Sequence, residues 1–192
     1  MRRKKYPLTD DALKREMRRL RRAERRKRLV AGTVIIAMAA LCAGAYLAQR
    51  KYMLVIVRGN SMNNTLASGS VVLCERNVPP ERGTLTLFDY EQALLIKRVI
   101  ALGGDEVIVS EDGVTVNGAA LAEDYAIPGG ERLGDMEYPL TVPEGGMFVM
   151  GDYRAMSVDS RSSTFGVIDS RTSLGRPVFV LWPLFRLGAL DR

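Results

Sequence analysis

Residues 29–48 read LVAGTVIIAMAALCAGAYLA, twenty positions without a charge. At about 1.5 Å of rise per helical residue such a run reaches about 30 Å, the thickness of a bilayer's hydrocarbon core. A transmembrane helix is therefore predicted here, and an independently folded body has to be built from the residues that follow it. A cleavable secretory signal is the competing reading, with Ala43-Gly44-Ala45 as its small-x-small site. Against it, the charged leader is too long and the apolar run exceeds the usual span of about 7 to 15 residues.

Charge is divided by this segment. The first 28 residues hold 14 of the chain's 28 Lys and Arg, opposed only by Asp10, Asp11, Glu16 and Glu24. The remainder carries 14 basic and 18 acidic residues, so the body is mildly acidic. Basicity is a property of the tail, which argues against a nucleic-acid face on the folded body. Only Arg50 and Lys51 closely follow the apolar run, so the positive-inside rule puts the N-terminus in the cytoplasm and the body outside. In the tail, Leu13, Met17 and Leu20 recur at i, i+4 and i+7 behind Thr9 and Asp10, a pattern that predicts a short juxtamembrane helix. A solvated charged helix that enforces topology fits this pattern, and so does a face for anionic lipid or a partner. The expected organisation is a basic cytoplasmic tail at 1–28, an anchor at 29–48 and an extracytoplasmic domain at 49–192, elaborated at about 103–142.

The body is rich in β patterns, at 53–57 (MLVIV), 71–73, 84–88 (TLTLF), 94–101 (LLIKRVIA) and 147–150, separated by Gly- and Pro-containing turns. Residues 106–116 (EVIVSEDGVTV) alternate on both sides of Asp112-Gly113, a hairpin signal, and Asn117-Gly118 marks the next turn. No long amphipathic helix competes after residue 53 and no repeat is present, so the fold class is mainly β.

The chain contains no histidine. That excludes a Ser-His-Asp triad, a Cys-His dyad and the commonest metal ligand, and leaves Lys, Asp, Glu or Tyr as a hydrolytic base. Cys42 and Cys74 make no disulfide framework and read as free thiols. Lysine can activate a serine only as the neutral amine, whereas a free lysine titrates near ~10.4. Lys97 lies between Leu95 and Val99 on one face of a strand, where burial can supply the roughly 4 kcal/mol needed to bring it to about 7 or 8. Alone, it reads first as an interfacial lysine whose stem covers apolar surface while its ammonium reaches water. Ser61 sits in Val57-Arg58-Gly59-Asn60-Ser61-Met62, just past a strand. Such a turn can expose a hydroxyl and oxyanion-binding N–H groups, or simply make local backbone hydrogen bonds.

Taken in order, Gly59-Asn60-Ser61-Met62 with Thr65-Leu66, then Ile96-Lys97-Arg98-Val99-Ile100, then Gly151-Asp152-Tyr153-Arg154 with Ser157-Val158-Asp159-Ser160-Arg161, closely resemble bacterial type I signal peptidases. The resemblance runs from about residue 30 to 183 and is to the single-anchor, Gram-positive-like form. It implies a signal-peptidase-like β catalytic domain behind an N-terminal transmembrane helix, a fold shared with self-cleaving SOS repressors. It also implies that Ser61 attacks the scissile carbonyl while Lys97 takes its proton and later returns it to the leaving amine. Water then releases the acyl-enzyme, and neither metal nor cofactor is needed.

By the same resemblance Ser157 orients Lys97, and Asp159 and Arg161 brace the site, although a charged turn held by local hydrogen bonds fits those two as well. The resemblance also implies that the Ser61 N–H contributes to oxyanion stabilisation. The residue two positions earlier is Gly59, as in the single-anchor members, so no hydroxyl donor comes from there. Asn64 and Gly103 stand where prolines are usual, and Tyr153, Ala155 and Met156 replace residues often polar, departures that bear on substrate range.

The implied partners are the lipid bilayer and secretory precursors whose signal peptides present small side chains at the first and third positions before the cut. Such a precursor would dock by β-augmentation. Trp182, Pro183, Leu184 and Phe185 fit either contact with the membrane surface or a strand packed in the core. Two other functions remain compatible: a specialised paralogue serving few exported or pilus proteins, and a noncatalytic membrane-tethered precursor-binding protein.

Overall fold

The computed structural model describes residues 10–130 and 134–190. Its first element is one helix, α1 (Asp10–Lys51), 42 residues long. The separate juxtamembrane helix expected from the sequence is continuous with the apolar segment, because no Pro or Gly falls between Asp10 and Gly32 and the intervening Ala, Leu, Arg, Lys and Glu are strong helix formers. Asp10 and Asp11 in its first turn and Arg50 and Lys51 in its last complement the helix dipole. Thr9 lies outside the described residues. Leu13–Lys51 contains a stretch long and apolar enough to cross a membrane.

The chain divides into two compact units, Met1–Ala48 and Gln49–Arg192. The second is built from β1 (Tyr52–Ile56), β2 (Val71–Arg76), β3 (Leu85–Tyr90), β4 (Ala93–Leu102), β5 (Glu106–Ser110), β6 (Gly113–Val116), β7 (Ala119–Ala120), β8 (Leu140–Thr141), β9 (Gly146–Met150), β10 (Ile168–Asp169), β11 (Ser173–Trp182) and β12 (Gly188–Ala189). Eight of these form a sheet in the order β1-β2-β11-β3-β4-β9-β10, with β12 beside β11; the other four form β7-β6-β5-β8. In the β5–β6 hairpin Ser110 pairs with Gly113. The turn is therefore Glu111-Asp112, one residue earlier than Asp112-Gly113, and Gly113 already belongs to the strand at φ +127°.

The sequence pattern did not announce β11, because Gly175 and Pro177 dilute its alternation. It is nevertheless central, pairing with both β2 and β3, and its register shifts beside Pro177. Gly175, at φ +142°, lies so close to the Glu75 carbonyl that a Cβ there would collide with it.

Apolar packing fixes the two sheets. Val55, Val72, Leu87, Ile96 and Val180, from β1, β2, β3, β4 and β11, belong to one core cluster with Val57, which follows β1. Ile100, Phe148 and Met150 close against Val107, Val109 and Val114 of the smaller sheet. Val99, Met147 and Val149 pack with Phe88 and Phe165 in a third cluster. The central β4 and β9 are thus buried on both faces, and β4 carries Lys97 into that interior.

Opposite the first cluster, register sets Leu54, Leu73 and Phe179 in one row and Ile56, Val71 and Trp182 in the next. Leu54, Ile56 and Trp182 are exposed, as are Leu184 and Phe185 beyond them, so residues 182–185 do not pack in the core.

Candidate active site

Ser61 follows β1 in a helical turn, in which the Met62 carbonyl accepts hydrogen bonds from the N–H groups of Thr65 (3.1 Å) and Leu66 (2.7 Å). Met62 and Leu66 are buried in the first core cluster and pin the turn beneath Ser61, which stays half-buried. Gly59, at φ +84°, lets the chain leave β1 and enter this turn, a conformation that opposes any side chain there. The Ser61 carbonyl accepts a hydrogen bond from the Tyr153 N–H at 2.9 Å, which ties the turn to the 151–154 segment.

Lys97, 4% exposed, lines the same cleft as Ser61. Its Nζ donates to Ser157 Oγ at 2.8 Å, and Ser157 Oγ in turn donates to Asp159 Oδ2 at 2.6 Å. Asp159 also accepts from Arg161 Nε at 2.8 Å and from the Gly151 N–H at 3.0 Å. Burial pulls the Lys97 ammonium down to about 8, against the upward pull of Asp159 and with a further push from Arg161. Burial alone would raise the Asp159 carboxyl, but Arg161, the Ser157 hydroxyl and the Gly151 N–H outweigh it and hold the carboxyl below its ordinary range. The geometry thus brings Lys97, Ser157, Asp159 and Arg161 into one hydrogen-bonded line, and sets Ser61 and Gly59 beside Lys97 in the cleft.

Further side chains frame this line. Arg98, next to Lys97, is buried and makes a two-pronged ion pair with Asp152 at 2.9 and 2.7 Å. Thr65 from the Ser61 turn donates to the same carboxylate. The Tyr125 ring lies 3.8 Å from the Arg98 guanidinium, and Asn64 Nδ2 donates to the Tyr125 carbonyl at 2.8 Å. Glu123 holds buried Arg154, whose carbonyl accepts from Arg161 at 2.8 Å. The adjacency of Arg98 to Lys97 and of Asp152 to Gly151 was a usable signal; nothing local in the sequence pointed to Glu123 or Tyr125. Among the described residues no cluster of acidic side chains and cysteines suits a metal ion.

A mainly β body in which one cleft holds a serine hydroxyl and a lysine amine pulled down to about 8, preceded by an apolar helix long enough to cross a membrane, belongs among the serine peptidases. Comparison makes the class specific, because the sequence model of the family described as signal peptidase, peptidase S26, matches residues 26–182. The chain is a member of that family. It is 33% identical over 149 residues to signal peptidase I of Bacillus licheniformis, covering 71% of this chain and 80% of that one. To the probable signal peptidase I-2 of Synechocystis it is 35% identical over 158 residues, covering 76% and 68%. A crystal structure of a signal peptidase I from Enterococcus faecalis V583 is 31% identical, covers 52% of this chain and 97% of its own, and aligns with a TM-score of 0.43.

Proposed function

We propose that this chain removes signal peptides from secretory precursors, with Ser61 as nucleophile and Lys97 as general base. The observation that carries the reading is the Lys97–Ser157–Asp159 line in the cleft that Ser61 shares. Ser157 gives its own proton to Asp159 and so accepts one N–H of Lys97, which leaves the lone pair of the neutral amine to point elsewhere in the cleft. In this reading it takes the Ser61 proton as Oγ attacks the scissile carbonyl. The resulting ammonium then protonates the leaving amine, and water repeats the exchange to free the acyl group. The Ser61 N–H serves the oxyanion, while Asp159 and Arg161 hold Ser157 in place.

Substrate enters as an added strand. β1 pairs only with β2, and residues 93–97 of β4 pair only with β3, so both carry a free edge among the described residues. These two edges line the cleft. An extended precursor lying between them finds backbone partners on both sides and an apolar lining that includes Val55, Val57, Met62 and Ile96. We place the basic tail in the cytoplasm and the β domain outside, with the exposed Leu54, Ile56, Trp182 and Phe185 face resting on the outer bilayer surface.

Two results follow from the site geometry. Below pH about 8 the rate constant kcat/KM for a short precursor peptide is expected to fall about tenfold per pH unit, and above it to level off, because only neutral Lys97 accepts the proton. Ser157→Ala is expected to lower kcat by about ten- to a hundredfold, the worth of one hydrogen bond to a charged group, with KM nearly unchanged. The breadth of the activity is tested by cleavage of a panel of precursors. Cutting restricted to sites with small residues at the first and third positions supports the general peptidase; cleavage of a single exported protein supports the specialised paralogue.

A further inference from the structure

Between Lys14 and Arg28, α1 carries ten Lys or Arg and only Glu16 and Glu24 as acids. At 3.6 residues per turn, every one of the ten except Lys27 falls on one half of the helix circumference, a half without an acid. The other half presents Leu13, Met17, Leu20 and Ala23, all exposed, together with Glu16, Glu24 and Lys27. A segment whose sole task is to fix topology needs a charge count beside the span, and has no need to sort its cations from its apolar residues. Sorting them brings like charges to i, i+4 spacing, as at Arg18, Arg22 and Arg26, which destabilises an isolated helix. A surface of fixed negative charge relieves that repulsion.

We propose that residues 14–28 lie along the headgroups of an anionic phospholipid leaflet, on the side where α1 enters the membrane. The cations reach the phosphates from the helix flanks, and the Leu13, Met17, Leu20 stripe settles toward the acyl chains. A nucleic acid offers the same phosphates but leaves the apolar stripe in water. The bilayer satisfies both faces, and the covalent link at Leu29 holds the segment next to it. Upright, only about the last two turns would stand within the ~8 Å over which charge acts at physiological salt. Full contact requires α1 to bend between Arg28 and Gly32, the first glycine in it. The inference rests on 29–48 spanning the bilayer.

The test uses the full-length chain carrying Cys42→Ser and Ala23→Cys, labelled at position 23 with an environment-sensitive dye; Cys74 is buried and stays unlabelled. It is placed in nanodiscs of phosphatidylcholine alone or with phosphatidylglycerol. In the anionic discs the emission is expected to shift to the blue and brighten about twofold or more, high salt to reverse the change, and Arg18→Gln/Arg22→Gln/Arg25→Gln to remove most of it. Identical emission in both discs overturns the proposal, as does a shift caused by RNA added to neutral discs but not by phosphatidylglycerol. Co-elution with the discs reports anchoring separately. A chain that stays outside them overturns the membrane span and this proposal together, whereas an anchored chain with an unresponsive dye overturns this proposal alone.

Discussion

A Lys97→Met chain is expected to lose about ten-thousand-fold or more of its precursor-cleaving rate while melting at a higher temperature than the wild type. The two effects have one cause. Lys97 is buried on β4 and its pKa falls to about 8 in the folded protein, from an ordinary value of 10.5. A lowered folded-state value for a lysine means that the unfolded chain binds the proton more tightly. Stability therefore rises as pH climbs from about 8 to about 10.5, and the full cost of the buried ammonium is felt below 8. At neutral pH that cost approaches about 3 kcal/mol, part of which is offset by the bond to Ser157. Methionine fills similar volume without the charge, so a net gain of about 1–2 kcal/mol, or roughly 4 °C in Tm, is expected at pH 7. At pH 10 the gain should shrink, since wild-type Lys97 is then neutral when folded. Calorimetry at both pH values, beside a cleavage assay, checks this. A variant that loses activity through poor folding would melt lower than the wild type at both.

Gly151→Ala is expected to act through the fold and to remove activity with it. A Cβ at Gly151 would sit 2.6 Å from the Ser61 carbonyl oxygen and 2.6 Å from Ser157 Cβ, and closer still to Ser157 Oγ. Neither neighbour is the far end of a flexible chain. The Ser61 carbonyl is fixed by the Tyr153 N–H, and Ser157 is fixed between Lys97 and Asp159. One methyl group therefore pushes the nucleophile turn away from the lysine line, or breaks the line itself. Destabilisation of about 2–4 kcal/mol is expected, together with a loss of kcat far beyond what the remaining folded fraction explains. Urea unfolding and burst-phase kinetics on the same preparation separate the two contributions. Activity within a few-fold of wild type would show that the 59–66 turn and the 151–159 segment move independently.

What the sequence made legible follows from how local each signal is. The long apolar helix and the β5–β6 hairpin rest on patterns contained within a single element, and residues 94–101 stood out because LLIKRVIA is almost wholly apolar around its lysine. β11 was missed because Gly175 and Pro177 break the alternation that betrays a strand, although contacts with β2 and β3 on either side hold it. β7, β8, β10 and β12 are two residues each, too short for any periodicity. Lys97 was legible from its apolar strand, and Ser157, Asp159 and Arg161 from motifs; their alignment depends on the β4–β9 register and on the turn after β9, which no spacing rule reports. Glu123 and Tyr125 lie far from those motifs in sequence and meet Arg154 and Arg98 only through tertiary packing, so they carried no local sign of their place.

The most direct measurement is incubation of a purified secretory precursor with the detergent-solubilised full-length chain, wild type and Ser61→Ala, followed by mass spectrometry of the products and circular dichroism of both proteins. The predicted result is one cut by the wild type, directly after a small residue at the end of the signal peptide, and an intact precursor with an equally folded Ser61→Ala. Cleavage at the same bond by the folded Ser61→Ala protein would contradict the account.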